Sequence, residues 1–344
     1  MKFYIVLENH NAMVTDEQTI SKSEADRAGK ELRLEVTSSA MQSLSNWRAM
    51  HAQPLSAAYK LLKQKAQFLD KNVILSQRLK RAPSIIHKLK RLSGMKLSRM
   101  QDIGGCRAVV ADTGKAIKLL NQLTKKAMKL EKDYFRYPKE SGYRSLHLSY
   151  KYKPIKEENL KYKGLTIEVQ LRTKVQHAWA TAVEIVGIFN QQGLKSGDGD
   201  QKWLEFFARV SDEFAKIEGL PTTGQFDSDD NIKKIIELND QLNALSTLSK
   251  YQVTTQFIDK KASNIGEYYL LILQDKEIKI TPFTKNSYQR AIDTYLAFEK
   301  QFNDDENTDV VLINAQPLKQ LKKAYPNYFA DSHEFIKLVK EVLK

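Results

Sequence analysis

The stretch DYFRYPKESGYRSLHLSYKY (133–152), with its continuation LTIEVQLRT (165–173), decides the fold. A basic loop (Pro138, Lys139, Ser141, Gly142) presents Tyr143, and two alternating segments follow. Leu146, Leu148 and Tyr150 alternate with Ser145, His147 and Ser149; Leu165, Ile167, Val169 and Leu171 alternate with Thr166, Glu168, Gln170 and Arg172. Period-two alternation predicts two half-buried strands. Successive side chains on a strand point to opposite faces, so Glu168, Gln170 and Arg172 share one. A carboxylate, an amide and a guanidinium in a row suit a metal and a phosphate, and they equally suit a solvated strand face.

Working outward, SQRLKRAPSIIHKLKRL (76–92) places Pro83 where a helix begins. Ser84, Lys88 and Arg91 then share one helix face, with Arg78, Lys80 and Arg81 in the approach. A helix N-terminus with a hydroxyl and cations suits a phosphate chain; a solvated basic helix is the plainer alternative. In MQDIGGCRAVVADTG (100–114), Asp102 and the paired glycines Gly104 and Gly105 precede an apolar strand, Cys106–Ala111, that contains Arg107. Asp102 either holds a divalent cation or ends the preceding turn. A helix is predicted over Lys115–Lys129. After Arg172, KVQHAWATAVEIVGIFN reads as an amphipathic helix on which His177, Trp179 and Glu184 are packing or solvent-facing residues. A polar loop follows (Gln191–Gln201), then a helix over Trp203–Ile217.

Upstream, Phe3–Leu7 reads as a strand and 22–72 as helical, with Pro54 near the start of one helix. Trp47 and His51 there are packing residues. GLPTTGQFDSDD (219–230) is the best domain boundary in the chain. Beyond it come a helix (Ile232–Tyr251), strands at Tyr268–Leu273 and Ile278–Thr281, a helix (Tyr288–Phe302), a strand (Val310–Ile313) and two short helices. Tyr288, Tyr295 and Phe298 are expected in the core. The predicted organisation is a mainly helical N-terminal region (1–72), a central domain (73–220), and a small α/β accessory unit (226–344). That last unit holds no catalytic constellation, and a regulatory or partner-binding role is expected for it.

Composition narrows the partners. The chain has 344 residues and a formal net charge of +14. From residue 221 onward there are 16 Lys and Arg against 18 Asp and Glu, so the first 220 residues carry +16. Such a field favours nucleotides, nucleic acid or an acidic membrane surface. The one cysteine, Cys106, excludes an intramolecular disulfide framework and reads as a small buried side chain. No signal peptide or membrane span is evident, and a cytoplasmic protein is expected.

Residues 78 to about 185 resemble the synthetase domain of the RelA/SpoT-type alarmone synthetases. RLKRAPSI resembles the ATP-binding segment, DIGGCR the first metal motif, PKESGYRSLH the acceptor loop, EVQLRT the second metal motif, and HAWA the helix after it. The resemblance implies an α+β, nucleotidyltransferase-like mixed sheet flanked by helices, with the helical N-terminal region and the smaller C-terminal domain added. It implies transfer of a pyrophosphoryl group from ATP to the 3′-hydroxyl of GDP or GTP, making (p)ppGpp. It also implies roles: Arg78 and Arg107 on adenine; Lys80, Ser84 and Lys88 on the ATP phosphates; Asp102 and Glu168 on Mg²⁺, with Glu168 a candidate base. Tyr143 would stack on the acceptor base, Lys139 and His147 would approach acceptor phosphates, and Gln170 and Arg172 would support the metal strand. None of the six histidines is followed by Asp, so the His-Asp hydrolase motif of the long family members is absent and synthesis alone is expected. Two other readings stand beside this one. One is a toxic relative that pyrophosphorylates the tRNA 3′-end or an adenine nucleotide; the other is an inactive nucleotide- or RNA-sensing module. A protein partner or effector at the C-terminal unit, and an oligomer, are compatible with all three.

Overall fold

The computed structural model describes residues 2–5, 19–125, 127–189, 194, 199–253, 268–274, 277–302, 308–314 and 331–344. A strand, β1 (Lys2–Ile5), is followed by three helices, α1 (Lys22–Leu34), α2 (Ser38–Met50) and α3 (Ala52–Leu69). A capping box starts α1: the Glu24 amide donates to Ser21 Oγ at 3.2 Å, and Glu24 Oε2 accepts from the Ser21 amide at 2.6 Å. Next come β2 (Ile74–Leu79), α4 (Ala82–Arg91), β3 (Gly104–Val110), α5 (Thr113–Thr124), β4 (Met128–Asp133), β5 (Leu146–Lys151) and β6 (Thr166–Thr173).

These five strands form one mixed sheet in the order β2-β3-β6-β5-β4, with β3 and β6 parallel and the other pairs antiparallel. This is the mixed sheet flanked by helices that the resemblance implied. Its apolar face carries Ile167, Val169 and Leu171, all fully buried, beside Cys106, Ala108, Val110, Leu146 and Leu148. Helices α3 and α5 cover that face with Leu55, Ala58, Leu62 and Ala66, and with Ala116, Leu119 and Leu123. Those residues recur every three or four positions, as one face of a helix requires. Burial also pushes the Cys106 thiol up, which suits packing rather than nucleophilic chemistry.

Two expectations are corrected here. The helix predicted to reach Lys129 ends at Thr124, and β4 follows as an edge strand whose lysines face solvent. Segment ILSQRL is a strand rather than an approach segment: Leu75, Gln77 and Leu79 turn inward, and Gln77 hides the alternation.

Beyond β6 lie α6 (Lys174–Phe189), α7 (Gln201–Ile217), α8 (Asn231–Leu242) and α9 (Ala244–Val253), then β7 (Tyr268–Gln274), β8 (Glu277–Phe283), α10 (Tyr288–Gln301), β9 (Thr308–Asn314) and α11 (His333–Val342). The single helix predicted over Ile232–Tyr251 is two, broken at Asn243, whose φ of +49° is left-handed. Helices α6, α7, α8, α9 and α11 share one core with Tyr143. The second sheet runs β1-β8-β7-β9, so the first strand of the chain pairs in parallel with β8. Tyr295 is buried and Phe298 packs beside it, as predicted. The Tyr288 side chain, most of the 191–201 loop and the first of the two last predicted helices lie outside the described residues.

A third core joins α1, α2 and α4 with Leu97, Met100, Ile103 and Leu165. At its edge His51 is buried, 2% exposed, with Nδ1–H donating to the Trp47 carbonyl at 2.8 Å. Burial pushes its pKa down to about 4, against the pull of that hydrogen bond. Below pH ~6.5 the unfolded chain therefore takes up a proton that the folded chain refuses, and stability falls by roughly 1.4 kcal/mol per pH unit until the folded pKa is reached. Urea midpoints at pH 7.5 and 5.5 should differ more for the wild type than for His51→Asn, which keeps a donor for Trp47. Equal differences would place the acid sensitivity elsewhere.

Candidate active site

The other face of the five-stranded sheet is polar, and strand register gathers its residues. Glu168 on β6 lies opposite Gly105 on β3 and Ser149 on β5; Gln170 lies opposite Arg107 and His147. On β2, Ser76 pairs with Arg107 and Arg78 with Gly105. Directly paired residues share a face. Arg78, Arg107, His147, Glu168, Gln170 and Arg172 are thus on one side of the sheet, as the alternation of β6 foretold for its own three. The two glycines differ in what they do. A Cβ on Gly104 would stand 2.7 Å from Ile167 Cδ1, whereas one on Gly105 would meet only the Glu168 carbonyl at 3.9 Å. Packing therefore calls for Gly104, and Gly105 leaves open the space beside Glu168.

Asp102 sits just ahead of β3. The Lys80 amide donates to the Ile103 carbonyl at 2.7 Å, extending the β2–β3 pairing by one step and setting Lys80 opposite Ile103, next to Asp102. Lys80 Nζ donates to Asp102 Oδ2 at 2.9 Å, and Lys88 Nζ, from α4, to Oδ1 at 2.7 Å. Burial alone would raise the Asp102 carboxyl, but the two ammonium groups outweigh it and hold the carboxyl below the usual range. Lys80 is pushed down by burial, with Asp102 opposing. Ser84, half-buried in the first turn of α4, shares the Lys88 face, and Arg81 at the N-cap supplies no side-chain cap.

Glu168 heads a hydrogen-bonded chain. Its Oε1 is 2.9 Å from His147 Nδ1, and its Oε2 accepts from Gln170 Nε2 at 2.7 Å. His147 Nε2 is 2.8 Å from the Tyr143 hydroxyl, which accepts from Arg172 Nη2 at 2.7 Å. Burial pushes Glu168 up, and the His147 and Gln170 contacts more than reverse this, so the carboxyl lies below its ordinary value. His147 moves the other way: burial lowers it, but Glu168 and Tyr143 together raise it. Asp102 also acts on Glu168, raising it, so the two carboxylates sense each other.

Tyr143 is only 7% exposed. Its ring has Arg172 Cζ 5.1 Å and Lys139 Nζ 5.4 Å from the centroid and meets Tyr134 and His147 edge-on. A base laid on this ring must displace a group that now covers it.

Sequence reasoning missed the support beneath this loop. Arg144, 3% exposed, donates from Nη2 to Asp212 Oδ1 at 3.2 Å, from Nε to Ser211 Oγ at 3.3 Å, and from Nη1 to the Pro221 carbonyl at 2.6 Å. A usable signal was present: Ser211 lies at i+4 from Phe207 and three before Phe214, a polar residue on the buried stripe of α7. Trp179 Nε1 donates to the Phe207 carbonyl at 2.7 Å, so the packing role expected for Trp179 is fulfilled.

Among the described residues no group of three or more His, Cys, Asp or Glu gathers as a metal cluster. Asp102 and Glu168 do fit a divalent cation by donor chemistry. Both are ionised oxygen donors, and Mg²⁺ takes one or two carboxylates plus phosphate oxygens. Ser149 and Thr166 also line a cavity of about 1020 Å³ that Asp102, Glu168, His147 and Tyr143 do not border. Lys22, Arg99, Lys125, Lys129, Lys151 and Lys153 line it, against one described acid, Glu131. No helix among the described residues is long and apolar enough to cross a membrane.

Residues 77–189 match the sequence model of the region found in RelA and SpoT proteins. No curated protein sequence matches the chain. Among solved structures, the small alarmone synthetase 1 from Bacillus subtilis is 25% identical, with 50% of this chain and 94% of that one covered and a TM-score of 0.39. The same protein bound to its product pppGpp is 24% identical, over 50% and 93% of the two chains, with a TM-score of 0.40. A GTP pyrophosphokinase family protein from Streptococcus pneumoniae is 24% identical, over 55% and 95%, with a TM-score of 0.40. The matched segment contains the Asp102 pairings and the chain from Glu168 to Arg172, so the likeness to the region found in RelA and SpoT proteins falls on the residues that build the polar face.

Proposed function

We propose that the chain is a pyrophosphokinase that transfers the pyrophosphoryl group of ATP to the ribose 3′-hydroxyl of GDP or GTP, making (p)ppGpp, without hydrolase activity. One observation carries this reading. Two carboxylates held below their ordinary pKa range, Asp102 and Glu168, lie within electrostatic reach of each other inside the matched segment, with Lys80 and Lys88 on the Asp102 side. Residues 73–220 hold this chemistry, helices α1–α3 of the N-terminal region pack against it while β1 joins the second sheet, and 226–344 supply a regulatory or partner-binding unit.

ATP lies on the β2–β3 side. Arg78 and Arg107 are diagonal neighbours on adjacent strands, a spacing of about 7–8 Å that accepts a purine between two guanidinium planes. Lys80 and Lys88 turn from Asp102 to phosphate oxygens, joined by Ser84, which frees the Asp102 carboxylate. Mg²⁺ held by Asp102 and Glu168 would supply charge neutralisation on the transferred group. Glu168, kept ionised and oriented by His147 and Gln170, accepts the 3′-hydroxyl proton as that oxygen attacks the β-phosphorus and AMP leaves. Tyr143 and Lys139 hold the acceptor, while Arg172 fixes Tyr143. The test is a label-transfer assay with ATP and Mg²⁺ and, separately, GDP, GTP, AMP and deacylated tRNA. Label on GDP or GTP supports the reading; label on none of the four removes it.

The basic cavity favours a second reading, transfer to the 3′-end of tRNA by a growth-arresting relative of these enzymes. A polynucleotide gripped at six or more phosphates should lose roughly 10³-fold or more in affinity between 50 and 200 mM salt, and a mononucleotide far less. Acceptor KM measured across that range distinguishes the two.

A further inference from the structure

We infer that Ser211, Asp212, Thr223 and Gln225 are positioning residues for the acceptor, because helix α7 and the segment 219–230 together clamp the loop 138–144. The inference rests on the proposed function for the meaning of that loop, which carries Lys139 and Tyr143. The loop has weak internal bonding: the Gly142 amide donates to the Lys139 carbonyl at 2.8 Å, and the Lys139 amide to the Tyr143 carbonyl at 3.3 Å. Its shape is imposed from outside.

Three contacts impose it. Gly142 has a φ of +84° and presses onto α7, where a Cβ would stand 2.6 Å from Ser211 Cβ and 3.1 Å from Ala208 Cα. Ser211 Oγ donates to the Gly142 carbonyl at 2.5 Å. The second contact is Arg144, which reaches both Asp212 on α7 and the Pro221 carbonyl in the segment beyond. The third comes from that segment itself: Gln225 Nε2 donates to the Glu140 carbonyl at 2.9 Å. Asp212 then locks the segment, accepting from the Thr223 amide at 2.8 Å and from Thr223 Oγ1 at 2.7 Å. One carboxylate thus holds both Arg144 in the loop and Thr223 in the segment that lies over it.

The segment has the form of a strap. Gly219 and Gly224 take left-handed φ of +65° and +74°, Pro221 and Gln225 are exposed, and Arg209 Cζ is 4.2 Å from the centre of the Phe226 ring. It leads directly into α8, whose Ile235 and Leu238 share a core with Tyr143. Productive transfer needs the acceptor oxygen placed closely, and a shift of about 1 Å can cost 10²-fold.

The test uses the full chain and the double variant Thr223→Val/Gln225→Ala, two partly or fully exposed positions outside the reacting groups. Losing two hydrogen bonds should raise the acceptor KM by about 10–30-fold, leaving the ATP KM within about twofold. Thr223→Ser, alone, should keep the wild-type values. Amide hydrogen exchange reads the clamp without any activity: Lys139 and Gly142 should exchange faster in the double variant, with the amides of α6 unchanged. Unchanged exchange in the loop overturns the inference, whatever the enzyme does. Faster exchange with equal rises in both KM values also overturns it, because the loop would then not be specific to the acceptor. If the wild type transfers label to none of the acceptors, the proposed function fails, and the exchange result still decides the clamp.

Discussion

Asp102→Asn and Glu168→Gln each reduce pyrophosphoryl transfer by about a thousandfold or more, and both proteins remain folded. Asparagine keeps the shape of the side chain but removes the charge that holds Lys80 and Lys88 and would hold a cation. Glutamine at 168 keeps one acceptor oxygen for His147 or Gln170, yet it cannot take a proton from a hydroxyl. The structural cost is small because these groups are partly open to water. Asp102 and its lysines are 20–25% exposed and Glu168 is 24% exposed, so solvent screens what the pairs contribute and the loss should be near 1 kcal/mol. Single-turnover label transfer together with urea unfolding checks both halves. Turnover near the wild-type rate in either variant would sink the assignment of the two carboxylates, and unfolding of either would make the kinetics uninformative about roles, which Asp102→Glu and Glu168→Asp would then resolve.

Arg144→Met lowers the unfolding free energy by about 3–5 kcal/mol, the largest stability effect expected in the chain. Both members of the Arg144–Asp212 pair are nearly dry, at 3% and 4% exposure. Burial pushes the guanidinium pKa down, with Asp212 opposing. Removing the cation leaves a buried carboxylate with Thr223 alone and strips partners from Ser211 and Pro221. Arg144→Met/Asp212→Leu should recover part of the loss, because both charges leave together. Urea midpoints for the two variants give the answer. A loss below about 1 kcal/mol for Arg144→Met would show that water reaches the pair and that its burial counts for little.

The central sheet was legible where alternation was clean. Segments 146–151 and 166–173 follow period two with apolar residues inside, and β3 is a short apolar run behind two glycines. It was illegible at both edges, β2 and β4, because edge strands carry polar and charged residues that blur the pattern: Gln77 points inward and Lys129 outward. The site divides in the same way. Glu168, Gln170 and Arg172 could be placed on one face from spacing alone. The Lys80 and Lys88 contacts with Asp102 span 22 and 14 residues, and Arg144 finds Asp212 68 residues away, so topology makes these contacts and local pattern does not. Tyr143 belongs with them. Whether a tyrosine is an open platform or a buried link depends on Tyr134, Arg172 and the α6–α7 core around it.

The parallel pairing of β1 with β8 has a consequence for biosynthesis. Its partners, Ile5 and Ile280, are 275 residues apart. At roughly 5–20 residues per second on the ribosome, the first strand waits about 14–55 s for its neighbour to emerge. Through that interval the five-stranded sheet can be completed, since it uses strands only from residues 74 to 173. Docking of the leading segment is therefore a late event that closes a very large loop, and such non-local pairings are the slow steps of folding. A newly made chain would pass through a stage with its central sheet assembled and its two ends still apart.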